Sequence, residues 1–179
     1  MPNKIILIVI AVLLVIGVAA VIAYYVARFM RGTIRLTMAH TAFNPGDPIS
    51  GSFELHTKKA VEGNRLIVSL IGTQVTRTRG NDGEMRTRTR EIYRDEVLLE
   101  EARSYEAGAR ATHNFEIAAP DMHSAEFMDS ALGQALSAAL SLISNKSTRI
   151  KWRVEARLDA RGVDLAASKA VSLNIKQLM

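Results

Sequence analysis

The residues most suited to chemistry lie in one run, Thr76-Arg77-Thr78-Arg79-Gly80-Asn81-Asp82-Gly83-Glu84-Met85-Arg86-Thr87-Arg88-Thr89-Arg90. Guanidinium groups bind carboxylate or phosphate through paired hydrogen bonds. Strand alternation puts Arg77 and Arg79 on one face, and Arg86, Arg88 and Arg90 on one face of the next strand. Asn81-Asp82-Gly83 signals the hairpin turn between them. If the register aligns the two sets, five guanidiniums form one stripe able to hold an anionic lipid head group or an acidic peptide. The plainer reading is a wet hairpin kept soluble by charge. Nucleic acid is not expected as a partner, because no aromatic residues interleave with these arginines.

Other reactive side chains do not converge. His40, His56, His113 and His123 form neither an H-x-H nor an H-E-x-x-H pair, so no metal site is expected. His113 is expected on an inward strand face, as a satisfied core residue. Asp159 and Asp164 flank Gly162 and are explained by a turn. Glu100 and Glu101 are adjacent, so a strand would point them to opposite faces. Ser124 lacks a nucleophile-elbow context and suits a helix cap. No phosphate-binding glycine loop is present, and the chain has no Cys. These features predict no catalytic residue, cofactor or enzyme activity.

The elements that must carry these residues are legible in the hydropathy. Residues 5–27 are 23 positions without a charge. As a helix they would be about 35 Å long, enough to cross a bilayer core. Tyr24, Tyr25, Arg28 and Arg31 sit at the end of the run, where interfacial side chains belong. A cleaved signal peptide is the competing reading, but the apolar run continues past Val18-Ala19-Ala20 through Val21, Ile22 and Ala23. The expected organisation is a tail over residues 1–4, a transmembrane helix over 5–27, a juxtamembrane linker over 28–32 and a folded domain over 33–179. Arg28, Arg31 and Arg35 against Lys4 lean toward a cytoplasmic domain. From position 32 onward there are 20 basic and 18 acidic residues, so the 179-residue chain's net charge of +5 overstates the basicity of its domain.

Beyond residue 32 the period changes to two. Ile34, Leu36 and Met38 alternate with Thr33, Arg35 and Thr37, and Ile49, Gly51, Phe53 and Leu55 with Ser50, Ser52 and Glu54. Leu66 to Gly72 is apolar on both faces, as a central strand would be. Met85 to Leu99 reads as a long return strand. His113, Phe115 and Ile117 mark a further strand. Ile150, Trp152, Val154, Ala156 and Leu158 alternate cleanly with charged residues, and Val171, Leu173 and Ile175 close the set. Seven or so strands with turns between them predict a mainly β, immunoglobulin-like antiparallel sandwich. Residues 124–145 break the pattern. Their spacing predicts an inserted helix with Leu132, Leu136, Leu140 and Ile143 on its apolar side. That side either packs on the sandwich or meets a partner.

The order of these signals resembles the arrestin-like families: arrestin N-domains, the retromer arrestin-like subunit and sporulation-control proteins. Phe43-Asn44-Pro45-Gly46-Asp47 is similar to their aromatic-x-Pro-Gly-Asp turn, and Ile49-Ser50-Gly51-Ser52-Phe53 to the step that follows. Leu66 to Gly72, then Gly108, Phe115, Ile117, Pro120 and Ser124, and finally Trp152 to Asp159 continue the likeness over residues 33–176. The resemblance implies an arrestin-like sandwich serving as a non-catalytic binding scaffold. Four features depart from it: room for one sandwich instead of two, the inserted helix, the apolar N-terminal segment, and no segment that matches the family's regulatory tail. The expected function is therefore a single-pass membrane-anchored adaptor that recruits protein partners. The alternative is a structural subunit of a membrane complex, or an envelope-facing binding or assembly domain.

Overall fold

The computed structural model describes residues 2–79, 83–121, 127, 129, 130, 133, 134 and 148–174. A helix, α1 (Pro2–Arg31), precedes nine strands: β1 (Gly32–Thr37), β2 (Ala42–Phe43), β3 (Pro48–Thr57), β4 (Val61–Arg79), β5 (Met85–Glu100), β6 (Arg103–Tyr105), β7 (Arg110–Ala118), β8 (Thr148–Ala160) and β9 (Leu165–Leu173). Residues 28–31 belong to α1, and Gly32 opens β1.

The strands make two sheets. The small one has the order β1-β3-β7; the large one has the order β2-β9-β8-β4-β5, with β6 paired to the start of β4. Pairing is antiparallel except for the short β2–β9 contact. Period-two alternation decides which residues face inward. Ile49, Phe53 and Leu55 of β3 and Phe115 and Ile117 of β7 meet Leu66, Val68 and Leu70 of β4 and Val154, Ala156 and Leu158 of β8 in one core. Trp152 and Tyr93 join them edge to face, with ring centroids 5.4 Å apart. This two-sheet arrangement is the sandwich that the alternation predicts.

β4 is apolar on both faces because it is central. Ile67 and Ile71 point away from the core yet are buried. Across the strands they face Arg157 and Arg153, whose aliphatic stems suit apolar surface while their heads stay wet.

α1 is different in kind. It spans roughly 45 Å at 1.5 Å per residue. Residues Ile8–Arg31 make a helix long and apolar enough to cross a membrane. Its described large apolar side chains are about half to two-thirds exposed, Val15 being 68% exposed, and the sandwich core includes none of them. The helix is nevertheless fixed to the sandwich at its C-terminal end. The N–H groups of Lys58 and Lys59 donate to the Arg31 carbonyl oxygen (2.7 and 3.3 Å), satisfying a helix-end acceptor. The Arg31 guanidinium donates to the carbonyls of Arg161 (2.6 Å) and Val163 (3.3 Å). The Lys58 ammonium lies 3.3 Å from the Phe29 ring centroid.

Candidate functional site

The register of β4 against β5 decides the fate of the arginine hairpin. Arg77 pairs with Thr87 and Arg79 with Met85, whereas Arg86, Arg88 and Arg90 pair with Thr78, Thr76 and Gln74. Directly opposed residues project to the same face. Arg77 and Arg79 therefore lie on the outer face of the large sheet, and Arg86, Arg88 and Arg90 on the face that continues the core side. The five-guanidinium stripe does not form, because this register sets the odd-numbered arginines of one strand against threonine and methionine of the other.

The structure brings a different basic set together. Val75 pairs with Arg149, Thr73 with Lys151 and Ile71 with Arg153 along β8. These three cations alternate with inward Ile150, Trp152 and Val154 and so share the outer face with Arg77. Thr73, Val75, Arg77, Arg149, Lys151 and Arg153 line an open depression of about 450 Å³. The sequence displays Arg149, Lys151 and Arg153 as the polar side of its cleanest alternating strand, and only strand pairing shows that they flank Arg77.

Most counter-charges on this face are gathered at the opposite half, whereas Glu91 pairs with Thr73, level with Lys151. Arg94 clamps Glu91 with two hydrogen bonds (2.7 and 2.8 Å) and reaches Glu96 at 3.1 Å. The Arg94 hydrogen bonds hold the Glu91 carboxyl below its usual range, against a smaller opposing effect of burial. Arg157 pairs with Glu155 at 2.8 Å and Asp164 at 3.7 Å, and Arg65 with Asp159 at 3.5 Å. Arg153 lies at the boundary, 3.7 Å from Glu155. Among the described residues, Arg77, Arg149 and Lys151 form no ion pair. Surface pairs stabilise little, but their uneven distribution leaves an excess of positive charge around Arg77, Arg149 and Lys151.

The remaining candidates have local roles. His113 points inward and stacks on Phe53 with ring centroids 5.3 Å apart. Its Nε2 has no hydrogen-bond partner and lies 3.8 Å from a Glu100 carboxylate oxygen, so it is a core residue but not the satisfied one expected. Glu100 accepts hydrogen bonds from the Tyr105 hydroxyl and Arg103. Asp164 accepts from the Ala160 N–H, tightening the turn into β9. No group of three or more acidic or histidine side chains among the described residues is arranged to hold a metal ion. Leu132, Leu136, Leu140 and Ile143 lie outside the described residues, as does most of the segment 124–145 expected to be helical. Phe127, which is described, is half-buried against the core, its ring 6.3 Å from that of Tyr93.

No protein-family model and no curated protein sequence matches the chain. Among solved structures, the chain is similar to Spo0M, a sporulation control protein from Bacillus subtilis. The TM-score is 0.53 at 13% identity, covering 80% of this chain and 49% of that one. The chain thus spans about half the length of Spo0M. A second match is the alkylpurine DNA glycosylase AlkC of Pseudomonas fluorescens bound to DNA containing an abasic site analog. It has a TM-score of 0.35 at 16% identity over 80% of this chain and 30% of that one, too low to carry an argument. The likeness to Spo0M and the two-sheet topology define a distant arrestin-like fold.

Proposed function

We propose that the chain is a single-pass membrane protein whose arrestin-like sandwich is a non-catalytic binding module on the cytoplasmic side, recruiting protein partners to the bilayer. The observation that carries this reading is the exposure of α1. An exposed apolar surface along the roughly 35 Å uncharged run of this helix is far larger than a water-facing monomer tolerates. A bilayer is the solvent that fits its length and leaves its backbone internally satisfied. The bonded joint at Arg31 then holds the sandwich close to the head groups. Lys58, Lys59 and Arg161, distant in sequence, are folded against the end of α1 and add cationic charge there. That charge favours an anionic cytoplasmic leaflet.

Extraction and labelling test both halves of this reading. The chain should stay with membranes through alkaline carbonate and leave them only in detergent. A cysteine introduced by Thr87→Cys in this cysteine-free chain should react with a membrane-impermeant maleimide only after cell lysis. Release by carbonate would sink the anchor. Labelling of intact cells whose outer layer had been permeabilised would move the sandwich outside and favour an envelope-assembly domain.

A further inference from the structure

We propose that the basic half of the large sheet's outer face is a docking groove for an extended acidic segment of a partner protein, gripped by Arg77, Arg149, Lys151 and Arg153. This rests on the reading of the sandwich as a binding module and names the chemistry of its partner. Same-face residues along a strand repeat every ~6.8 Å. Arg149, Lys151 and Arg153 therefore form a row with the repeat of an extended peptide, whose alternate carboxylates can meet successive cations. Arg77 flanks this row from β4, with Thr73 and Val75 between them in the depression. Among the described residues, the acidic groups nearest the groove are already engaged: Glu91, level with Lys151 across Thr73, is held by Arg94, and Glu155 is shared by Arg157 and Arg153. Among the described residues, an incoming carboxylate displaces no ion-pair partner of Arg77, Arg149 or Lys151, and guanidiniums receive carboxylates in bidentate fashion.

Other anions fit less well. Val61 opens β4 three residues after Lys58, which is bonded to the end of α1. From there to Arg77 runs roughly 50 Å of strand. This separates the groove along the strand from Lys58 and Lys59, the cations at the end of α1. Trp152 also lines the depression but is buried in the core, so the described residues of this face expose no aromatic ring on which the bases of a single strand could stack.

The test uses the full chain in neutral detergent micelles and a fluorescent Glu-Ser repeat peptide, read by anisotropy. Binding should saturate and weaken as salt rises. Arg77→Gln with Lys151→Gln should weaken it about tenfold. Arg88→Gln with Arg90→Gln removes the same charge from the other face and should cost less than about twofold. Arg149→Gln with Lys151→Gln replaces the first pair should that variant fail to fold, as judged by its melting curve. Absence of saturable binding, equal weakening by both pairs, or displacement of the peptide more readily by dihexanoyl phosphatidylserine or oligothymidine than by unlabelled peptide would overturn the proposal. None of these outcomes bears on carbonate extraction, so failure of the groove and failure of the anchor are distinguishable.

Discussion

At the residue scale, the sharpest constraint on the core is a missing side chain. A Cβ at Gly72 would sit 2.8 Å from Trp152 Cζ3 and 3.0 Å from Tyr93 Cβ. Neither aromatic can move away freely, because each is buried and they pack on one another. Gly72→Ala should therefore destabilise the fold by roughly 1–3 kcal/mol, seen as a lower denaturant midpoint with an unchanged slope. Tyr93 gives a second handle. Burial pushes its phenol up to about 12, and Asp95 adds to the effect. Burial and the bond to Glu100 push Tyr105 in the same direction. The folded state thus favours the protonated phenol. Its contribution is complete below the ordinary value of 10 and is lost as pH rises toward about 12. Melting temperature should decline over that interval, and more shallowly in Tyr93→Phe. An unchanged profile in that variant would place the alkaline sensitivity elsewhere.

At the scale of elements, the joint between α1 and the sandwich is as specific as the core. Gly32 carries the chain from helix to strand so close to β3 that a Cβ would overlap the His56 carbonyl oxygen and press on Thr57 Cα. Backbone cannot yield there without parting β1 from β3, whose pairing begins at Gly32 and Thr57. Gly32→Ala should loosen the joint. Limited proteolysis should then cut near residue 32 faster than in the parent chain, whereas equal rates would mean the joint is not strained by a methyl group. This joint was not legible in the sequence, since Arg31 and the carbonyl of Arg161 it binds are 130 positions apart. The strands were legible, because burial on one face writes period two into β1, β3 and β8. Strand pairing was not, and it decided the site. Ile92 is the extra residue where the β4–β5 register shifts, and no periodicity announces such a bulge. Beyond the shift, the pairing of Arg79 with Met85 sends the hairpin arginines to opposite faces. In the sequence, Arg149, Lys151 and Arg153 are simply the polar side of an alternating strand, and only the pairing of β8 with β4 sets them beside Arg77.

At the scale of the whole molecule, the chain divides its surface by solvent. α1 offers apolar side chains over its length and none to the sandwich core, while the sandwich closes its own core between two sheets. The energies of the two parts are therefore close to independent except at the joint. Deleting residues 2–27 while keeping Arg28 to Arg31 should convert a detergent-requiring protein into a water-soluble one. Its sandwich should melt within about 3 °C of the full chain, because no buried area of consequence is removed. Far-ultraviolet circular dichroism should lose most of its helical signal and keep its β signal. A truncated sandwich that aggregated or melted far lower would show instead that α1 packs on the domain in a way that hides apolar surface. In that case the exposed helix would be a cover for the sandwich, and the bilayer would no longer be needed to explain its composition.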